Sequence, residues 1–135
     1  MFTFGREHEV RCAISNIKTK ENQKLAASSV HSGHDYLEEN IPLNKLGEIL
    51  KSNFSNGGSG VWEQAGSWIG KVVTENPTAI SWWHCLAAEK SAIVRFRVAC
   101  FLDEIPKDGA NEIGAIFKND RSKKVKEMAE ARMNK

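Results

Sequence analysis

The residues best suited to chemistry are His31-Ser32-Gly33-His34-Asp35, where two imidazoles and a carboxylate fall within five positions. Such a set could hold a divalent metal ion and support hydrolysis of a phosphate ester. The pattern is incomplete, because no histidine precedes it at matching spacing and no downstream aspartate partners it. Gly33 is also expected to break the helix that would present the ligands together. The segment therefore reads as a solvated turn with Asp35 as an N-cap, and no metal or cofactor is assigned. Gly57-Gly58-Ser59-Gly60 suggests a phosphate cradle, but no lysine followed by serine or threonine completes it and no strand precedes it. The adjacent His84-Cys85 would point in different directions on a helix, and there is no Gly-x-Ser-x-Gly elbow. No catalytic residue is assigned, and the expectation is a protein that is not an enzyme.

Elements able to position side chains follow from apolar spacing, which is helical almost throughout, so the predicted fold class is all-α. Helices are predicted over residues 6–17, 21–30 and 34–40, and then from Pro42 with Leu43, Leu46, Ile49 and Leu50 inward. After the 55–60 loop, Val61–Thr74 forms a helix, and Asn76-Pro77 opens another that runs to about Glu89. Ser91–Ile105 is next, ended by Pro106. A turn at Lys107-Asp108-Gly109 then leads to a helix over 110–118, and the last helix starts at Asp120 or Ser122.

The 135 residues are 41% hydrophobic and 27% charged, with a net charge of +2. That is enough chain to bury a core without disulfides or metal. Cys12, Cys85 and Cys100 are odd in number and widely spaced, so all three read as reduced thiols. No run approaches the ~18 apolar residues of a membrane span. The first residues lack the long apolar stretch of a secretory signal, so the expected location is cytoplasmic. Charge is uneven: residues 1–117 carry 12 basic and 14 acidic side chains, residues 118–135 carry 7 and 3.

An internal repeat underlies the helices. Val61, Ala65 and Ile69 align with Val94, Val98 and Leu102, and again with Val125, Ala129 and Met133, at offsets of 33 and 31 residues. The intervening helices align Leu46-Gly47 with Ile113-Gly114, and Ile80-Ser81 midway. In that register Trp83 matches the core positions Ile49 and Ile116, while Trp82 matches Glu48 and Ala115 on an exposed side. Two interleaved helix types at a common spacing point to a helical array.

Ser91-Ala92-Ile93-Val94-Arg95, followed by Val98-Ala99 and Leu102-Asp103-Glu104-Ile105, resembles the first helix of a HEAT repeat, with its Ser/Pro-x-x-Val-Arg opening. Asp120-Arg121-Ser122-Lys123-Lys124-Val125-Lys126 is similar to the same opening. The resemblance covers residues 42–135 and leaves 1–41 as an atypical N-terminal helical cap of one single domain. It implies a short α-solenoid of antiparallel helix pairs that binds other macromolecules along its second helices. Small stand-alone bacterial modules of this kind include immunity proteins that block a toxin.

The expected function is accordingly a protein-binding module that neutralises a cognate toxin by occluding it. Its expected contact residues are Trp82 as an exposed aromatic anchor, with Glu48, Lys51, Glu89, Glu112 and Lys118 around it. An acidic patch at Asp35, Glu38, Glu39 and Glu48 would suit a basic partner. The alternative is a nucleic-acid-binding solenoid using Arg95, Arg97 and the basic C-terminal helix. The mixed charges on the second helices argue against nucleic acid, which needs a continuous basic stripe.

Overall fold

The computed structural model describes residues 5–134. Met1–Phe4, the start of the segment read for a secretory signal, and Lys135 of the basic tail lie outside them. The described residues contain eight α-helices and no strand: α1 Arg6–Ile14, α2 Lys20–Leu37, α3 Leu43–Asn56, α4 Val61–Glu75, α5 Ile80–Ala87, α6 Ala92–Cys100, α7 Lys107–Phe117 and α8 Lys123–Met133. The all-α class is thus observed. No described helix is long and apolar enough to cross a membrane. The chain divides within α4 into two compact units, residues 1–72 and 73–135.

In the first unit α1 packs on α2, and α2 on α3. Thr19 caps α2, its hydroxyl accepting from the Asn22 N–H at 3.2 Å. The break predicted at Ser32-Gly33 does not occur: α2 runs through both residues. Gly33 is there for close approach, since a Cβ at this position would overlap the six-membered ring of Trp68. The helix ends instead at Glu38 and Glu39. Glu39 takes a left-handed φ of 61°, and the Asn40 N–H reaches back to the Asp35 carbonyl at 2.8 Å. This is a Schellman closure with glutamate where glycine is usual. Leu46, Leu50 and Phe54 of α3 are fully buried, at the i, i+4 and i+8 spacing of one helix face. Asn53 is also buried, and its amide donates to the Ser29 hydroxyl at 2.9 Å and the Leu25 carbonyl at 3.2 Å. Because Asn53 lies late in α3 and Leu25 early in α2, the two helices run antiparallel.

In the second unit α5 packs on α6 and α7, and α8 packs on α6 and α7. Ser91 and Ser122 cap α6 and α8, accepting from the N–H groups of Val94 and Val125, each at 3.4 Å. The Ser-x-x-Val opening is therefore a pair of N-caps. The helix predicted to Ile105 ends at Cys100 and tightens into turns. Phe101 and Leu102 N–H groups bond the carbonyls of Val98 and Ala99, three residues back, and Pro106 disfavours the helical conformation at Ile105. Helical periodicity persists closely enough to keep Phe101, Leu102 and Ile105 buried. The predicted turn at Lys107-Asp108-Gly109 is instead the first turn of α7, opened by the Pro106 carbonyl accepting from Ala110 at 2.9 Å. Gly109 serves packing there, since a Cβ would stand 3.0 Å from Ile80 Cδ1.

The core register of the first-helix series is observed at eight of its nine positions: Val61, Ala65, Ile69, Val94, Val98, Leu102, Val125 and Ala129 are buried, while Met133 is 37% exposed. The second-helix series requires a correction. The buried residues of α7 are Gly109, Ala110, Ile113, Gly114 and Phe117, and the last four recur at the same spacing near α5 as Ala79, Trp82, Trp83 and Leu86. The offset is 31 residues, so Trp82 corresponds to Ile113, not to Ala115. Trp82 is consequently 7% exposed, and Ile116, expected in the core, is 63% exposed.

Candidate protein interface

Two ion pairs fix a surface along α6 and α8. Arg95, in the first turn of α6, makes a two-pronged pair with Asp120, Nε to Oδ2 at 2.8 Å and Nη2 to Oδ1 at 3.1 Å. Its Nη1 also donates to the carbonyls of Glu89 at 2.9 Å and Lys90 at 2.7 Å. Asp120 in turn accepts from the Ser122 N–H at 2.8 Å, so one carboxylate aligns the start of α8. The hydrogen bonds from Arg95 hold the Asp120 carboxyl below the ordinary carboxylate range, assisted by the Ser122 N–H. At the other end, Arg132 of α8 meets Asp103, just past α6, at 3.4 Å. With one pair at each end, the two helices must run in the same direction.

Between these pins lies an open groove of about 260 Å³, lined by Phe96 of α6 and by Lys124, Glu127, Met128 and Ala131 of α8. Phe96 and Met128 are half-buried, and Lys124, Glu127 and Ala131 are exposed. An apolar floor with charged residues at the rim is the layout of a protein contact patch. Because Asp120 is occupied by Arg95, the side chains of Arg121, Lys123, Lys124 and Lys126 dominate the charge at the start of α8, and all four are exposed. Phe96 and Met128 were not singled out from the sequence. Their signal was there: each is apolar yet falls outside the buried 94/98/102 and 125/129 positions.

The residues expected to form a contact ring do not surround an exposed anchor. Trp82 is buried, for the register reason given above. Glu48 and Lys51 lie three residues apart on α3 in the first unit, where Glu48 is exposed and 4.0 Å from Lys45, and Lys51 is half-buried. Glu89, Glu112 and Lys118 are exposed in the second unit. Glu112 and Lys118 are six residues apart, which turns them to different sides of α7. Part of the acidic patch is already engaged, since Arg6 pairs with Asp35 at 2.9 Å and with Glu38 at 2.7 Å.

His31, His34 and Asp35 do share one face of the unbroken α2, contrary to the interruption expected at Gly33. His34 Nε2 is bonded to Glu9 at 2.7 Å, and Asp35 to Arg6, so two of the three are committed to fixing α1. Among the described residues, no three histidine, cysteine or acidic side chains come together as a metal site. No protein-family model, curated protein or solved structure matches the chain, so the reading of this surface rests on its geometry.

Proposed function

We propose that this chain is a non-catalytic protein-binding module built as a short α-solenoid, and that it engages a partner through the α6–α8 groove. The observation that carries the reading is the groove itself: Phe96 and Met128 form an apolar floor beside the exposed Lys124 and its basic neighbours. Such a surface suits a partner with an apolar side chain set among acidic residues. The parallel course of α6 and α8, with α7 between them in sequence, supports the solenoid. So do the two serine caps and the near-constant offset of the buried positions. Blocking a toxin is the specific form of this role suggested by the likeness of Ser91–Ile105 to a HEAT first helix.

The test is affinity purification from cells expressing the full chain, with Met128→Glu and Glu48→Gln as paired variants. Met128→Glu places a carboxylate in the groove and should abolish recovery of a stoichiometric protein partner, while Glu48→Gln should retain it. Circular dichroism of both variants checks that helicity is unchanged. If RNA is recovered instead, with binding that falls steeply with salt, the protein-binding reading is wrong.

A further inference from the structure

The first helix is held differently from every other helix in its unit. None of the nine residues of α1 is buried, and its N-cap, Gly5, offers no side-chain hydrogen bond. Its polar contacts to α2 are the ion pairs of Arg6 with Asp35 and Glu38 and a hydrogen bond between Glu9 and His34. These fasten the first turn of α1 to the last turns of α2, which makes the two helices antiparallel. Val10, Ala13 and Ile14 are half-buried along the rest of the helix, and Ile14 packs on the cluster of Ile17, Ala26 and Val61. Ser15–Thr19 forms the non-helical link between α1 and α2. The geometry is thus a hinge at one end and a charged clasp at the other.

We infer that α1 is a strap that opens by itself, while α2 and α3 stay folded, when its charged clasp is weakened. Elements with few buried apolar contacts open locally ahead of the rest of a protein. Partly exposed ion pairs are also the contacts most sensitive to salt, since the screening length falls from ~30 Å at 0.01 M to ~3 Å at 1 M. Opening removes Glu9 from His34, whose ring also packs in a T-shaped arrangement with Trp68, 5.7 Å from centroid to centroid. Ionic strength is therefore a signal to which the strap responds, and the His34–Asp35 face of α2 is what it uncovers.

Hydrogen exchange of the full chain, followed by mass spectrometry at 0.01 M and 1 M salt and constant pH, tests this. Amides of residues 10–14 should exchange about three- to tenfold faster at high salt relative to those of Leu50–Phe54, the change expected from losing a few exposed ion pairs. Arg6→Gln should show the fast exchange already at low salt, and Arg6→Lys should recover part of the protection. A ratio that does not move with salt, or α1 and α3 amides that accelerate together, overturns the inference. The wild-type salt titration decides the matter even if a variant folds poorly, and it is independent of whether a partner binds the α6–α8 groove.

Discussion

The two units solve the same packing problem by different means. The second is a register: Val94, Val98, Leu102, Val125 and Ala129 recur at fixed spacing, and Ala79, Trp82, Trp83 and Leu86 match Ala110, Ile113, Gly114 and Phe117. The first adds single fits to its own share of that register, Val61, Ala65 and Ile69. Gly33 receives the Trp68 ring, Asn53 satisfies buried groups of α2, and charges hold α1. A repeated register tolerates one irregular position, such as the exposed Met133. A one-off fit has no neighbour to share the load.

The largest expected effect nonetheless lies in the second unit's core, because it removes the most buried volume. Phe117→Ala removes a fully buried ring and should cost about 3–5 kcal/mol, read from denaturant unfolding and from lost amide protection in α8. A smaller loss would mean that the register can collapse around the cavity. In the first unit, Gly33→Ala drives a methyl group into Trp68 and should cost about 1–3 kcal/mol. Adding Trp68→Leu should return part of that loss, whereas simple additivity would show that the close approach is not the cause.

The Arg95–Asp120 clamp should have an effect of similar size. Asp120→Asn should cost about 1.5–3 kcal/mol, the range for hydrogen bonds to charged groups. The pH dependence has a definite sign. Asp120 is held below its unfolded value, so its contribution is complete above that ordinary value of about 3.9 and is lost as pH falls through the depressed folded one. Acid titration of the wild type should show this loss, and Asp120→Asn should flatten it. The smallest effect should be a gain: Glu39→Gly relieves a left-handed glutamate and should stabilise the end of α2 by about 1 kcal/mol.

What could be read from the sequence divides along the same line. The all-α class and most helix starts were legible because Ser91, Ser122 and Pro42 act locally and because the 61/94/125 register repeats. Trp82 marks the limit of what such a register reveals. Ile80-Ser81-Trp82-Trp83 was aligned to fall midway between two other helices, whereas packing required a 31-residue offset that turned Trp82 inward. Gly33 misled for a different reason: a glycine that breaks a helix and one that admits an indole look alike until the ring 35 residues away is known. The clasp of Arg6, Glu9, His34, Asp35 and Glu38 likewise joins residues 25 to 32 positions apart, and no local pattern announces it. Within the groove, Lys124 is visible in the sequence only inside the Asp120–Lys126 opening, while Phe96 and Met128 required the proximity of α6 and α8.

The most direct test of the central claim is the affinity of the co-purifying protein for wild type, Met128→Glu and Glu48→Gln, measured by calorimetry with matched folded samples. The groove account predicts that Met128→Glu weakens binding by about 30-fold or more, the ~2 kcal/mol scale of an interface hot spot, and that Glu48→Gln binds as wild type does. Equal affinity for wild type and Met128→Glu would contradict it.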